Sequence, residues 1–300
     1  MTGFSPTLMH NAVGYDGLTP VARTTLPPKN LRGEYNRGFW LDWSVVEQIE
    51  GKPDWSVPDA WVWGNLKQDR KPIAVLCGHP TWALASKARW ELFESYCFTL
   101  QARYGSDLAR VELGNEFDTA PNLGYAQPDE IVRLWHVGHG VFKERSILGN
   151  IQSLSHQGEG LHRLAAALGA FVKLAGPPRA VSVHLYDTLG LWGPGMFERM
   201  LHEVRGVLIA HGAPRSELWV TEFGVWREQV RDESPQFADW NEREQGAWLR
   251  AAMRAMRAAG VEHALYWELD NPDRQNGGFG WDSAAVGKRV WNEAVTAVAR

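Results

Sequence analysis

Three hundred residues, 44% hydrophobic and 22% charged, can bury one substantial core, and because no composition shift divides them a single domain over residues 1–300 is expected. Against 35 acidic residues stand 31 Lys and Arg, a net charge of −4 without any basic run, which argues against nucleic acid as a partner. No apolar run is long enough to span a membrane, and MTGFSPTLMH lacks the charged-then-apolar start of a signal peptide, so the expected protein is soluble, cytoplasmic or secreted with its signal removed, and monomeric.

The predicted elements alternate regularly. Residues 7–13, TLMHNAV, read as a first strand, followed to about residue 38 by a stretch rich in Pro, Gly, Arg and Asn that is poor helix material. GFWLDW, residues 38–43, has strand character; an irregular stretch, a helix over 58–68 and strand three over 72–78 follow. Residues 87–104 carry Trp90, Phe93, Cys97 and Leu100 at helical spacing. Strand four is RVELGN, residues 110–115, and the helix over 130–145 has Pro128 where a first turn tolerates it. Strand five covers 146–151, a helix 160–174, strand six 180–186, a helix 194–210, strand seven 218–223, a helix 241–259, strand eight 263–269 and a last helix 284–299. Eight short, near-continuously apolar strands alternating with amphipathic helices predict an α/β fold, the (β/α)8 TIM barrel, with an irregular first β/α unit. An open doubly wound sheet is the rival, but no glycine-rich phosphate turn follows strand one. Cys77 and Cys97 are too few for a disulfide framework and are expected to be free structural thiols.

In such a barrel every strand delivers its last residues to one face, so chemistry is sought at strand ends. Those ends read His10 and Asn11, Asp42 and Trp43, His79 and Trp82, Asn115 and Glu116, Gln152, His184 and Tyr186, Glu222, and Trp267 with Glu268. Carboxylates, hydrogen-bonding groups and aromatic platforms together suit a polyhydroxylated, largely uncharged ligand, an oligo- or polysaccharide. Sixteen tryptophans fit both sugar stacking and core packing, and most are expected in the core. Glu116 and Glu222 each end an apolar run, and two convergent carboxylates are what glycosidic cleavage requires.

The motifs GNE at 114–116 and TEFG at 221–224 resemble those of the clan A retaining glycoside hydrolases, whose acid/base glutamate follows an asparagine at the end of strand four and whose nucleophile ends strand seven. WSVVEQIEGKPDW, GHPTWA, HLY and YWELDNP are similar to segments of family 39 β-xylosidases and bacterial exopolysaccharide endoglycosidases, so the resemblance extends over nearly the whole chain. It implies Glu116 as acid/base, Glu222 as nucleophile, Asn115 on the hydroxyl beside the anomeric carbon, Tyr186 orienting Glu222, and Trp267 flooring the subsite. His184, His79, Trp82, Glu268 and Trp43 complete the expected substrate-binding set, with no metal and no cofactor. One departure stands out: clan A enzymes usually carry a strand-two arginine that hydrogen-bonds the nucleophile, and GFWLDW has none, so Arg23 or Arg37 takes that place if strand two lies elsewhere.

Other readings stay open. His79 and His184 also fit buried barrel histidines, and with His10 they suggest a metal-dependent hydrolase, although no closely spaced His pair is present. A carbohydrate-binding barrel that has lost catalysis is a second alternative. Trp226 and Trp281, like Trp43 and Trp82, are candidates for outer subsites, and short loops around an open groove favour endo action on a β-linked polysaccharide over β-xylosidase-like exo action.

Overall fold

A parallel strand covered on both faces must be apolar on both, and Lys71–Leu76 (β3) obeys this: Ile73, Ala74, Val75 and Leu76 are all fully buried. The computed structural model describes residues 5–8, 35–118, 128–151, 159–187, 194–225 and 242–266. The other strands are Ser5–Leu8 (β1), Tyr35–Gly38 (β2), Arg110–Leu113 (β4), Ser146–Leu148 (β5), Ala180–Asp187 (β6), Glu217–Val225 (β7) and His263–Tyr266 (β8). They form one eight-stranded sheet in the order β1-β8-β7-β6-β5-β4-β3-β2, the strand sequence of a (β/α)8 barrel. Helices Trp43–Val46 (α1), Ser56–Leu66 (α2), Thr81–Leu84 (α3), Arg89–Tyr104 (α4), Pro128–Phe142 (α5), Glu159–Ala175 (α6), Pro194–Ala210 (α7) and Glu242–Ala258 (α8) occupy the connections. Among the described residues no helix is long and apolar enough to cross a membrane.

By packing density the chain divides into two compact units. The Glu116 unit comprises Arg37–Val183 and Arg205–Glu217; the Glu222 unit comprises Met1–Asn36, His184–Val204 and Leu218–Arg300.

In the Glu116 unit β3, β4, β5 and the start of β6 pair in parallel, with Ile73 opposite Arg110, Val111 opposite Ser146 and Ile147 opposite Ala180. Helix α5 lies close on β4. A Cβ on Gly138 would meet Leu113 Cδ2 at 2.4 Å, so any larger residue would have to displace the Leu113 side chain. Buried Trp135 of the same helix donates its indole N–H to the carbonyls of Leu113 (2.8 Å) and Gly149 (3.0 Å), tying together the ends of β4 and β5. Cys77 and Cys97 are buried free thiols, and burial raises both well above the usual thiol range.

In the Glu222 unit β1, β8 and β7 pair in parallel. Trp219 packs between Tyr35 and His263, and Phe197 of α7 meets Trp248 of α8 edge-on at 5.6 Å. Opposite β8 the register shifts: Val220 faces Ala264 but Phe223 faces Tyr266, so β7 uses three steps where β8 uses two. This bulge contains Thr221 and Glu222.

Strand two is not where GFWLDW placed it. After β2 ends at Gly38 the chain turns, with the Asp42 N–H donating to the Phe39 carbonyl, and Asp42 then caps α1 through the Ser44 N–H. The second carboxylate oxygen of Asp42 accepts from the N–H groups of Cys77 (2.6 Å) and Gly78 (2.7 Å) at the end of β3. Trp40, Leu41 and Trp43 are buried all the same, so burial produced the apolar run while hydrogen bonding decided its shape. Strand five is also shorter than expected, ending at Leu148. The irregular segment between β1 and β2 and the expected last helix lie outside the described residues.

Candidate active site

In the Glu116 unit the polar groups gather just beyond β4. A charge in the middle of an apolar strand must find partners, and Glu112, fully buried, accepts from Arg37 Nε, from Asn150 Nδ2 at 3.0 Å and from Ser182 Oγ at 2.5 Å. Both side chains of the Arg37–Glu112 ion pair are inaccessible to solvent, so removing either leaves a buried charge uncompensated, at a cost of about 3–5 kcal/mol. Arg37 reaches further, donating from Nη2 to Asn115 Oδ1 at 2.8 Å. Asn115 and Glu116 thus stand on a fixed base: the first is held by the buried arginine, the second by its own backbone.

That backbone is unusual. Glu116 has φ +48°, a left-handed conformation costing a non-glycine residue roughly 1–3 kcal/mol, and it persists only where its surroundings enforce it. Gly114, two residues earlier, has φ +100°, and a Cβ there would stand 2.9 Å from the Gly149 carbonyl oxygen. The Glu116 N–H donates to Asn150 Oδ1 at 2.6 Å. The residue is half-buried.

An aromatic cluster lies beside Asp42. His79 packs among Trp43, Trp90 and Phe93 at ring separations of 5.4, 5.0 and 5.0 Å. Burial, and secondarily Arg89, lower its pKa to about 3, so it is neutral. Trp82, half-buried on α3, donates its indole N–H to the Glu47 carbonyl at 2.9 Å and meets Trp43 edge-on. Trp43, expected at a strand end facing the ligand, lies instead in α1, 1% exposed and stacked on Tyr96 at 5.7 Å. A ring so enclosed has no free face for a sugar. It supports His79 and Trp82 from behind.

In the Glu222 unit β6 presents His184 and Tyr186, two apart and so on one face of the strand. Tyr186 donates its hydroxyl to Glu222 Oε2, and His184 Nδ1 stands 3.5 Å from the same oxygen. Glu222 is 5% exposed, which orients it and shields it from bulk water. His184 and Glu222 are an imidazole and a carboxylate, groups that can also bind a divalent ion.

Of the expected set, Tyr186, His184 and Glu222 come together in this unit, while Trp267 and Glu268 lie outside the described residues, as do His10, Asn11, Gln152, Arg23, Trp226 and Trp281. Of the two candidate arginines, Arg37 lies within β2, where it binds Glu112 and Asn115. Glu112, Asn150 and Ser182 were not foreseen. The signal for Glu112 was present, since a glutamate inside the run RVELG can be buried only with partners, but nothing local names those partners.

No protein-family model matches the chain, and no curated protein matches it. Solved structures do. A glucosidase from Croceicoccus marinus matches with TM-score 0.67 and 12% identity, over 98% of this chain and 68% of that one. A thermostable mutant of a xylanase from Cellvibrio japonicus matches with TM-score 0.70 and 13% identity, over 99% and 98%. An endo-1,4-β-xylanase from Penicillium canescens matches with TM-score 0.70 and 9% identity, over 97% and 94%. At such identities the likeness is one of fold, and it extends over almost the whole chain: this is a (β/α)8 barrel.

Proposed function

We propose that the chain is a single-domain retaining glycoside hydrolase of the clan A kind, cleaving β-glycosidic bonds without metal or cofactor. The observation that carries this reading is the preparation of the two glutamates: Glu222 receives the Tyr186 hydroxyl within a strand bulge, and Glu116 follows an arginine-held asparagine in an enforced left-handed turn. Both follow from strands of one parallel sheet, whose C-terminal ends form one face in a (β/α)8 barrel.

On this reading a Glu222 oxygen attacks the anomeric carbon as the bond to the leaving oxygen breaks, and Glu116 gives that oxygen its proton. Glu116, now a carboxylate, takes a proton from water, whose oxygen displaces Glu222 from the sugar. Asn115 holds the neighbouring hydroxyl, and the retaining mechanism requires carboxyl groups ~5–5.5 Å apart. Proteins of this fold named as xylanases and as a glucosidase support a carbohydrate substrate, and the endo-xylanase among them supports endo action on a β-linked polysaccharide.

The test is turnover of aryl β-glycosides and of a polysaccharide panel, with products sized at early times and the assay repeated in EDTA. Activity that survives EDTA and yields oligosaccharides supports the reading. Monosaccharide alone from the start makes the enzyme exo-acting. Binding without turnover leaves a carbohydrate-binding barrel. For the roles, Glu222→Gln should abolish all turnover, whereas Glu116→Ala should spare the first step on activated aryl glycosides and accumulate the covalent intermediate. Azide restoring Glu116→Ala with retained configuration assigns the acid/base; inverted product from that variant would exchange the two roles.

A further inference from the structure

We propose that Asn150 is the positioning residue of the acid/base glutamate, setting the orientation of Glu116 from a neighbouring strand end; this rests on the role of Glu116 proposed above. Asn150 is fully buried just past β5 and uses both ends of its amide. Oδ1 accepts from the Glu116 N–H at 2.6 Å, and Nδ2 donates to Glu112 Oε1 at 3.0 Å. Its main-chain carbonyl accepts from the Phe117 N–H at 3.1 Å, so the peptide units on both sides of Glu116 Cα are held by one residue. These partners also define the amide's orientation, since only the oxygen can face an N–H and only the nitrogen a carboxylate.

Two glycines make this reach possible. Gly114 and Gly149 bring the ends of β4 and β5 so close that a Cβ on the first would lie 2.9 Å from the Gly149 oxygen, and one on the second 2.8 Å from Glu112 Cγ. A short side chain then spans from the buried glutamate to the loop. Asparagine is the residue that fits: alanine bonds neither end, and aspartate would place a second negative charge against Glu112. A left-handed Glu116 needs such a restraint, and relaxing its φ from +48° would swing the carboxyl away from the leaving oxygen.

A residue that merely joined β4 to β5 would affect stability alone. A positioning residue affects proton donation selectively, so the leaving group distinguishes the two. In Asn150→Ala, kcat/KM for phenyl β-glycosides, which need the proton, should fall roughly 10²-fold, the scale of a small misplacement of a catalytic group. For 2,4-dinitrophenyl β-glycosides, which need little protonation, it should stay within several-fold of wild type, and Asn150→Asp, which keeps the acceptor for the Glu116 N–H, should recover part of the loss. Ser182→Ala removes a donor from the same Glu112 without touching Glu116; it should lower Tm while leaving the leaving-group dependence as in wild type. If Asn150→Ala does not fold, Asn150→Ser is measured in the same way. An equal fall for both substrates, or an unchanged leaving-group dependence, overturns the proposal. A wild-type protein inactive on every β-glycoside refutes the proposed function instead. Crystal structures of wild type and Asn150→Ala then decide the positioning role, which requires Glu116 φ to leave the left-handed region in the variant.

Discussion

Tyr186 donates its hydroxyl to Oε2 of Glu222, and the β7 bulge places that carboxylate within reach of a residue on β6. A hydrogen bond to a charged acceptor contributes about 1.5–3 kcal/mol. Tyr186→Phe should therefore lower kcat on aryl glycosides by roughly 10- to 100-fold. Because the ring is half-buried and keeps its packing, Tm should change little; a large fall in Tm with kcat preserved would make the contact structural.

The Arg37–Glu112 pair should reveal its burial through non-additivity. Arg37→Ala or Glu112→Ala alone leaves one buried charge and should cost about 3–5 kcal/mol in urea denaturation, whereas the double variant should cost clearly less than the sum. Strict additivity would show the two charges to be independent.

Two glycine substitutions separate strain from simple propensity. Gly114→Ala puts a Cβ 2.9 Å from a backbone oxygen at φ +100°, where neither side can give, and should cost about 1–3 kcal/mol while displacing Asn115 and Glu116 enough to reduce kcat. Gly140→Ala on α5 meets nothing within 4 Å and should stabilise by about 0.4–1 kcal/mol with kcat unchanged. Thermal melts and steady-state kinetics on both variants check the contrast.

His79 predicts a pH dependence of stability. Its pKa falls from the ordinary 6.5 to about 3 on folding, so the unfolded chain binds the extra proton. The stability it contributes is complete above about pH 6.5 and is lost at about 1.4 kcal/mol per pH unit as pH falls towards 3. Between pH 7 and pH 5 wild type should lose roughly 2 kcal/mol more than His79→Gln in urea denaturation. Equal losses would mean that His79 already takes up a proton in the folded state.

Much was legible in the chain itself. Apolar runs such as PIAVL must be strands buried on both faces, their alternation with helical periodicity defines the barrel, and a glutamate directly after each of two such runs marks the candidate site, because local hydrophobic spacing follows from burial alone. GFWLDW shows where that argument stops: the run is buried as its composition demands, yet Asp42 spends its carboxylate on backbone N–H groups 35 and 36 residues away and turns the run into a cap and a helix turn. Arg37 became a strand-two residue only once β2 moved to Tyr35–Gly38. Trp43 reads as a platform in sequence and becomes core because α4 closes over it through Tyr96 and Phe93. Glu112 announced that partners must exist, but which side chains satisfy it, Arg37, Asn150 and Ser182, was decided by tertiary structure: they lie 75, 38 and 70 residues away and become neighbours only when parallel strands align their registers.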